Sequence, residues 1–298
     1  MRQVSKRKLK DTLVGYAFLL PSLFGFSLFI AYPIIRGFIL SFTDSDGFNP
    51  ARFIGIENYV KLLKTPVIRK SLLNNVKYML MFVPGNLFMS LLISTLVFNI
   101  GRGSRFFKTV LFFPYITSSI AIAMVWKLLY LPDNGLINTV LRAIGVANPP
   151  MWLASTKTAL ISVVIVAVWQ SIGLNMLIFL SGMQCIPQEL YDVGLLDGCT
   201  GWKKFRYITF PLLTPTVFFV LIMGIIGSFK VFDMVFQMTN GGPGDATTVM
   251  VYQIYKEGIT RLHVGYASAL AYVLFAIVLL ITLIQFKLQK HWVYYGEE

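Results

Sequence analysis

The sequence predicts an all-α protein, a six-transmembrane-helix bundle forming one membrane domain over residues 1–298, and three observations carry that prediction. Of the 298 residues, 56% are hydrophobic and only 13% are charged, against a charged share of about 25% in ordinary soluble domains. Mean hydropathy is +0.70. Between successive Asp, Glu, Lys and Arg residues lie six charge-free runs of 18 or more residues, at 12–35, 78–101, 109–126, 158–188, 207–229 and 262–286. As a helix, each is long enough to cross the hydrocarbon of a bilayer, about 30 Å, which takes roughly 17–25 residues. None alternates in the manner of a barrel strand. Six buried core helices of a soluble protein are excluded, because almost no amphipathic, solvent-facing helix remains to cover them.

The spans follow in order. The tail MRQVSKRKLKD puts five bases ahead of the first span, 12–35; the apolar stretch is too long for a cleavable signal and no A-x-A site follows it, so it reads as an uncleaved first helix. The stretch FTDSDGFNPARFIGIENYVKLLKTPVIRK carries turn residues and then an amphipathic run, which predicts an ordered segment between the first two spans. Spans at 78–101 and 109–130 come next. The fourth, at 158–182, holds WQSIGLNM near its middle. A charged loop over 187–211 leads into the fifth, 211–229, which ends in GSFKVFD. A turn-rich NGGPG stretch precedes the sixth, 266–286. Pro21, Pro84 and Pro114 fall inside spans, where they shape a bundle by kinking or are simply tolerated.

Orientation follows from the bases. With the N-terminus in the cytoplasm, six spans return the C-terminus to the same side, and thirteen bases fall on each side. The count ties, but the inner segments are shorter and the basic tail abuts the first helix, which favours both termini inside. The net charge of +13 suits helices anchored beside anionic headgroups, and membrane lipid is an expected partner. Bases and aromatics are not interleaved as nucleic-acid binding requires.

No cofactor or metal is expected. Cys185 and Cys199 fall in the predicted cytoplasmic stretch, where a disulfide does not persist, and they have no nearby His to make a metal site. His263 and His291 stand alone at helix ends. No nucleophile, base and acid gather within a span as an enzyme requires. The nearest approach to a phosphate-binding loop, GSRFFKT at 103–109, has Phe107 where the second Gly is needed and opens a span instead of following a strand. If ATP powers this protein, another chain binds it.

The loop PQELYDVGLLDGCTGWKKFRYITFPLLTP, 187–215, packs three acids and three bases between uncharged stretches. It reads as one short helix stopped by Gly198 and a second delivering the chain to Pro211. Polar helices lying across the membrane surface suit a protein partner. Asp192-Val193-Gly194, three residues, Gly198, nine residues, then Ile208-Thr209-Phe210-Pro211 resembles the EAA loop of ABC importer permeases, whose pattern is Glu-Ala-Ala, three, Gly, nine, Ile, one, Leu-Pro. Asp replaces Glu and Val-Gly replaces Ala-Ala. FIGIENYVKLL at 53–63, FFPYITSSIAIAMVWKLLY at 112–130, GLINTVL at 135–141, TNGGPGDATTVMVYQIY at 239–255 and GYASALAYVL at 265–274 are similar to the maltose-type carbohydrate-uptake permeases. The resemblance spans roughly 10–290.

The resemblance implies the type I ABC importer permease fold in a bacterial or archaeal inner membrane, without enzymatic activity of its own. It implies a second homologous permease subunit in a heterodimer, two ATP-binding subunits and an extracytoplasmic solute-binding protein. The loop becomes a cytoplasmic coupling helix docked on an ATPase, with Glu189, Asp192, Gly194, Asp197, Gly198, Phe205 and Pro211 as candidate coupling residues. The outer segments at 42–70 and 241–244 either meet the binding protein or cap the bundle.

A sugar site needs hydrogen-bonding side chains and aromatics inside the bundle, and polar groups within spans are the informative ones. Those are Gln170 and Asn175 in the fourth span, and Ser228, Phe229, Lys230 and Asp233 at the end of the fifth, where the resemblance also places sugar contacts. Interhelical hydrogen bonding for Gln170 and Asn175, and a simple i, i+3 pairing of Lys230 with Asp233, remain open. The expected substrate is a di- or oligosaccharide, with glycerol-phosphate compounds as the alternative. An ion-coupled secondary transporter, the rival from another class, needs carboxylates inside its helices, and the six runs hold none.

Overall fold

The computed structural model describes residues 2–100 and 103–294, with residues 2–10 and Leu13 described by backbone alone. Arg102, and the side chains of Arg2, Lys6, Arg7, Lys8 and Lys10 that entered the orientation count, lie outside what is described. Among the described residues the regular structure is helical, apart from an isolated bridge between Thr43 and Phe53. The chain forms two compact units, one of residues 1–64 and 254–272, the other of 65–253 and 273–298.

In the first unit, α1 (Arg2–Phe26), a π-helical turn (Ser27–Ala31) and α2 (Tyr32–Leu40) run on without a break. Pro33 follows the π turn by two residues. Proline cannot donate and its ring crowds the carbonyl four residues back, and an i to i−5 turn opens that space. The segment after α2 is held by the Thr43–Phe53 bridge and by Asp44, whose carboxylate takes the Arg52 backbone N–H at 2.7 Å and its Nε at 3.1 Å. Asp46 accepts the backbone N–H groups of Asn49 and Phe48, which hold its pKa down to about 2. α3 (Glu57–Lys64) is tied back by Asn58, whose amide donates to the Ser41 and Thr43 carbonyls.

The second unit holds α4 (Pro66–Asn99), α5 (Ser104–Ile116), α6 (Ser119–Leu129), α7 (Leu136–Ala143), α8 (Ala159–Gln184), α9 (Gln188–Leu196), α10 (Trp202–Lys204), α11 (Phe210–Phe229) and α12 (Asp233–Thr239). α13 (Met250–Tyr255) and α14 (Val264–Gln289) each pass from one unit to the other. α8 is the centre of the second unit, packing along α4, α5 and α11. Gly173 permits the closest approach: a Cβ there falls 2.2 Å from the Leu111 carbonyl oxygen and 2.6 Å from the Phe112 Cα. Phe179, Met183, Leu213 and Val220 fill one end of the core, and Val163, Val166, Val235 and Met238 another.

Five helical stretches are long and apolar enough to cross a membrane: Val14–Leu40, Pro66–Asn99, Ala159–Gln184, Trp202–Phe229 and Val264–Gln289. The pair α5 and α6 supplies a sixth if both form one span, the one the sequence predicts over 109–130, but they meet at 94°. The extended backbone at Thr117 and Ser118 makes the corner. Side chains cap the carbonyls freed there: the Thr117 hydroxyl donates to the Phe113 carbonyl, and the Gln170 amide reaches the corner from α8. The second helix expected in the loop is likewise not separate. α10, a π turn (Phe205–Thr209) and α11 form one helix from Trp202 to Phe229, and again a proline, Pro211, follows the π turn by two residues.

Candidate functional site

Two places gather the residues singled out by sequence, both within the second unit. The first is a cavity of about 390 Å³ bounded by α4, α8, the corner between α5 and α6, and the junction of α11 with α12. α8 contributes Gln170, Ser171 and Asn175 to its lining; Ser171 and Asn175, four apart, share one helix face. α11 ends at Phe229, and Lys230, in the three-residue link, and Asp233, the first residue of α12, line the same space. Gln170, Asn175, Lys230 and Asp233 are therefore brought together.

Ser228 and Phe229 are not. Both are fully buried on the face of α11 turned toward α4: the Ser228 carbonyl accepts the Asn75 amide at 3.1 Å, and its hydroxyl donates to the Gly224 carbonyl at 2.7 Å. Cavity and core residues are immediate neighbours here, Gly227 beside Ser228 and Phe229 beside Lys230, and sequence proximity cannot distinguish them.

Lys230 and Asp233 form no ion pair within 4 Å; the pairs among the described residues lie in the first unit. The i, i+3 spacing is that of a helix, and these two residues straddle a helix break. Each is exposed, so the cavity carries a cation and an anion, both available to a ligand.

The cavity also holds residues that the sequence did not single out. Asn86, 3% exposed, donates from Nδ2 to the Ser171 hydroxyl at 2.8 Å and accepts at Oδ1 from the Asn175 amide at 2.9 Å and the Ser90 hydroxyl at 2.8 Å. Asn175 is thus committed to α4 through its amide nitrogen. Gln170 Nε2 lies 3.2 Å from the Ser119 hydroxyl oxygen and 3.4 Å from the Thr117 carbonyl, bracing the corner. Tyr78 and Phe82 stack at 5.5 Å, and with Tyr115 and Phe232 they give the cavity aromatic walls. A signal for this was present: Asn86, Ser90 and Ser94 form a polar stripe at helical spacing inside the charge-free run of 78–101.

The second place is the loop at 187–211. α9 opens after Pro187 and closes at Gly198, whose φ of +75° is left-handed. The Gly198 N–H returns to the Leu195 carbonyl at 3.1 Å and the Cys199 N–H to the Gly194 carbonyl at 2.7 Å, the Schellman pair that ends a helix sharply and favours glycine. Gly194 faces inward, where a Cβ falls 2.3 Å from the Ile208 Cδ1 methyl; Gly in place of Ala brings α9 against the following turn. The Tyr191 hydroxyl meets that of Thr209 at 3.2 Å, and the Lys204 ammonium lies over the Tyr191 ring at 4.3 Å.

Outward, α9 presents Glu189, Asp192 and Asp197, with Val193 and Leu196, the latter 88% exposed. Asp192 accepts the Gln188 amide at 3.0 Å. Phe205 and Pro211 are half-buried, and Phe205 packs between Trp202 and Phe210, so these two support the loop from behind. The result is a small, compact knob with acids around exposed apolar side chains. Among the described residues no cluster of His, Cys, Asp or Glu is suited to a metal.

A helical membrane protein with a polar cavity among its spans and a compact knob leading into one of them is built as a transport protein. The chain belongs to the family of binding-protein-dependent transport system inner membrane components, whose model matches residues 67–293. It is 36% identical to the probable ABC transporter permease protein YurN of Bacillus subtilis, over 94% of this chain and 97% of that one. The sn-glycerol-3-phosphate transport system permease protein UgpA of Brucella abortus is 31% identical, over 96% and 98%. The arabinooligosaccharides transport system permease protein AraP of Bacillus subtilis is 31% identical, over 92% and 87%. A bacterial alginate ABC transporter, solved in complex with an alginate pentasaccharide-bound periplasmic protein, shares the fold with a TM-score of 0.85 at 19% identity, covering 98% of this chain and 99% of that chain. The protein is a multi-pass inner-membrane permease subunit of an ABC transport system.

Proposed function

We propose that this permease carries a di- or oligosaccharide through the cavity between α4, α8 and the α11–α12 junction, in an importer powered by ATP hydrolysis on partner subunits. The observation that carries the proposal is the lining of that cavity: Gln170, Lys230 and Asp233 beside Tyr78, Phe82, Tyr115 and Phe232. Sugar hydroxyls both donate and accept, so an amide, an ammonium and a carboxylate match them together, and aromatic faces match the apolar faces of sugar rings. The names of the relatives point both ways, to arabinooligosaccharides for AraP and to glycerol-3-phosphate for UgpA. Lys230 alone suits a phosphate. Asp233 in the same cavity repels one, and this favours the neutral sugar.

In this reading the α9 knob docks on an ATP-binding subunit, a second homologous permease completes the pathway, and a solute-binding protein delivers the sugar on the outer side, with both termini in the cytoplasm. Closure of the ATPases moves the knob, and the continuous helix Trp202–Phe229 transmits that motion to Lys230 at its far end, 28 residues away by helix length. Two global states biased by ATP and by the loaded binding protein suffice for alternating access.

The test is uptake of radiolabelled sugar into proteoliposomes holding the whole complex with ATP inside. Asp192→Arg abolishes uptake and sugar-stimulated ATP hydrolysis together, and Asp233→Asn lowers uptake with the basal hydrolysis kept. Full uptake by Asp192→Arg overturns the coupling role, and inhibition by glycerol-3-phosphate stronger than by oligosaccharides overturns the substrate class.

A further inference from the structure

Lys77 and Lys157 share a cavity of about 380 Å³ on the second unit, away from the sugar cavity, with Thr156 beside them and Leu80, Met81 and Ile161 as its apolar wall. We propose that it binds the phosphate headgroup of an anionic phospholipid, with an acyl chain lying along that wall.

Depth is the first argument. Lys77 is the last charge before the charge-free run of 78–101, and Lys157 the last before that of 158–188, so two adjacent helices each put a cation at the same membrane boundary. Lys77 stands 22 residues before the end of α4 at Asn99, about 33 Å along the helix, close to the roughly 30 Å of hydrocarbon. The second argument is charge. Both ammonium groups are exposed, and no carboxylate of a described residue pairs with either. Between them α8 begins. Its Ala159 and Ser162 N–H groups are taken by the Ser155 and Thr158 carbonyls, while Leu160 and Ile161 have no intrahelical acceptor, so the positive end of a 26-residue helix opens beside the lysines.

The third argument separates a lipid from a soluble anion. Leu80 is 62% and Ile161 46% exposed, and they follow Lys77 and Lys157 by three and four residues in the lining of the same cavity, which gives an acyl chain a surface that free phosphate leaves bare. Ala246 lines the same cavity, and Asn74 beside it holds the Asp245 and Thr248 carbonyls at 3.0 and 2.9 Å. A bound headgroup therefore touches the turn-rich loop at 239–248. The proposed orientation assigns the site to the outer leaflet, and only that assignment rests on it.

The experiment uses the whole complex in nanodiscs of phosphatidylcholine with a minor share of phosphatidylglycerol, released into the gas phase for native mass spectrometry. Lys77→Gln and Lys157→Gln are compared with Lys64→Gln, the same charge change on an exposed lysine outside the cavity. Each cavity variant lowers the ratio of retained phosphatidylglycerol to phosphatidylcholine about fivefold, the double variant lowers it further, and Lys64→Gln leaves it unchanged. Equal retention in the double variant overturns the site. Displacement of phosphatidylglycerol by millimolar inorganic phosphate, in a complex that retains phosphate alone equally well, overturns the lipid in favour of a free anion. Because the readout is bound lipid and not uptake, failure here is distinct from failure of the sugar reading.

Discussion

The helix through α1 and α2 and the helix α8 are alike in sequence, each holding a long charge-free run, and opposite in structure. α8 buries twelve of its 26 residues, Phe179, Met176 and Val163 among them, and turns Gln170, Ser171 and Asn175 onto one cavity. The most apolar stretch of Val14–Leu40 buries none, and Phe18 and Phe29 are 81% and 75% exposed. Hydropathy reports transfer out of water and says nothing about whether lipid, another chain or the same chain receives the side chain, since a lipid tail is as apolar as leucine. What distinguishes α8 is its small and polar residues: Gly173 for contact, Ser171 and Asn175 for hydrogen bonds to α4.

The largest effect expected from this contrast is at Gly173. Gly173→Val drives methyl groups into the Leu111 and Phe112 backbone, which no side-chain rotation relieves, and the permease is lost from the assembled complex in size-exclusion chromatography. Survival of that variant at normal yield breaks the assignment of α8 as the core. Next comes Asn86→Ala, which leaves the Ser171, Asn175 and Ser90 groups short of a partner and costs about 2 kcal/mol, read as a lower midpoint of thermal unfolding in detergent.

Gln170→Ala is smaller in stability and larger in function. It frees the corner between α5 and α6 and removes a cavity amide, so sugar uptake falls about tenfold with the unfolding midpoint nearly kept, since the two hydrogen bonds lost are long and only part-buried. A parallel fall in the two measurements makes Gln170 a structural residue only. The smallest effect is on the exposed helix. At Gly25 a Cβ meets nothing within 4 Å, and Gly25→Ala changes the unfolding midpoint upward or not at all, since alanine is favoured in a helix by up to about 1 kcal/mol. A loss of complex from this variant shows that another chain covers α1.

Most of the architecture was legible because it rests on the chemistry of single residues. Charge-free runs found the membrane helices, Gly198 marked the end of α9, and the spacing from Asp192 to Pro211 exposed the loop. The site was legible in part: Gln170, Asn175, Lys230 and Asp233 stood out as polar groups in or beside apolar runs. Ser228 and Phe229 were indistinguishable from them until the phase of α11 was known. Asn86 belonged to a readable stripe, yet its importance comes from partners 85 and 89 residues away.

By itself, then, the sequence determined that this chain is a helical membrane protein with a charged loop before the fifth span, because transfer free energy and helix stop signals are local properties that add along the chain. Only the tertiary structure decided which runs became core, where α5 turns through 94° into α6, and which polar residues share a cavity. Those outcomes depend on which faces meet, and contact between faces is set by close packing of distant segments that no local pattern encodes.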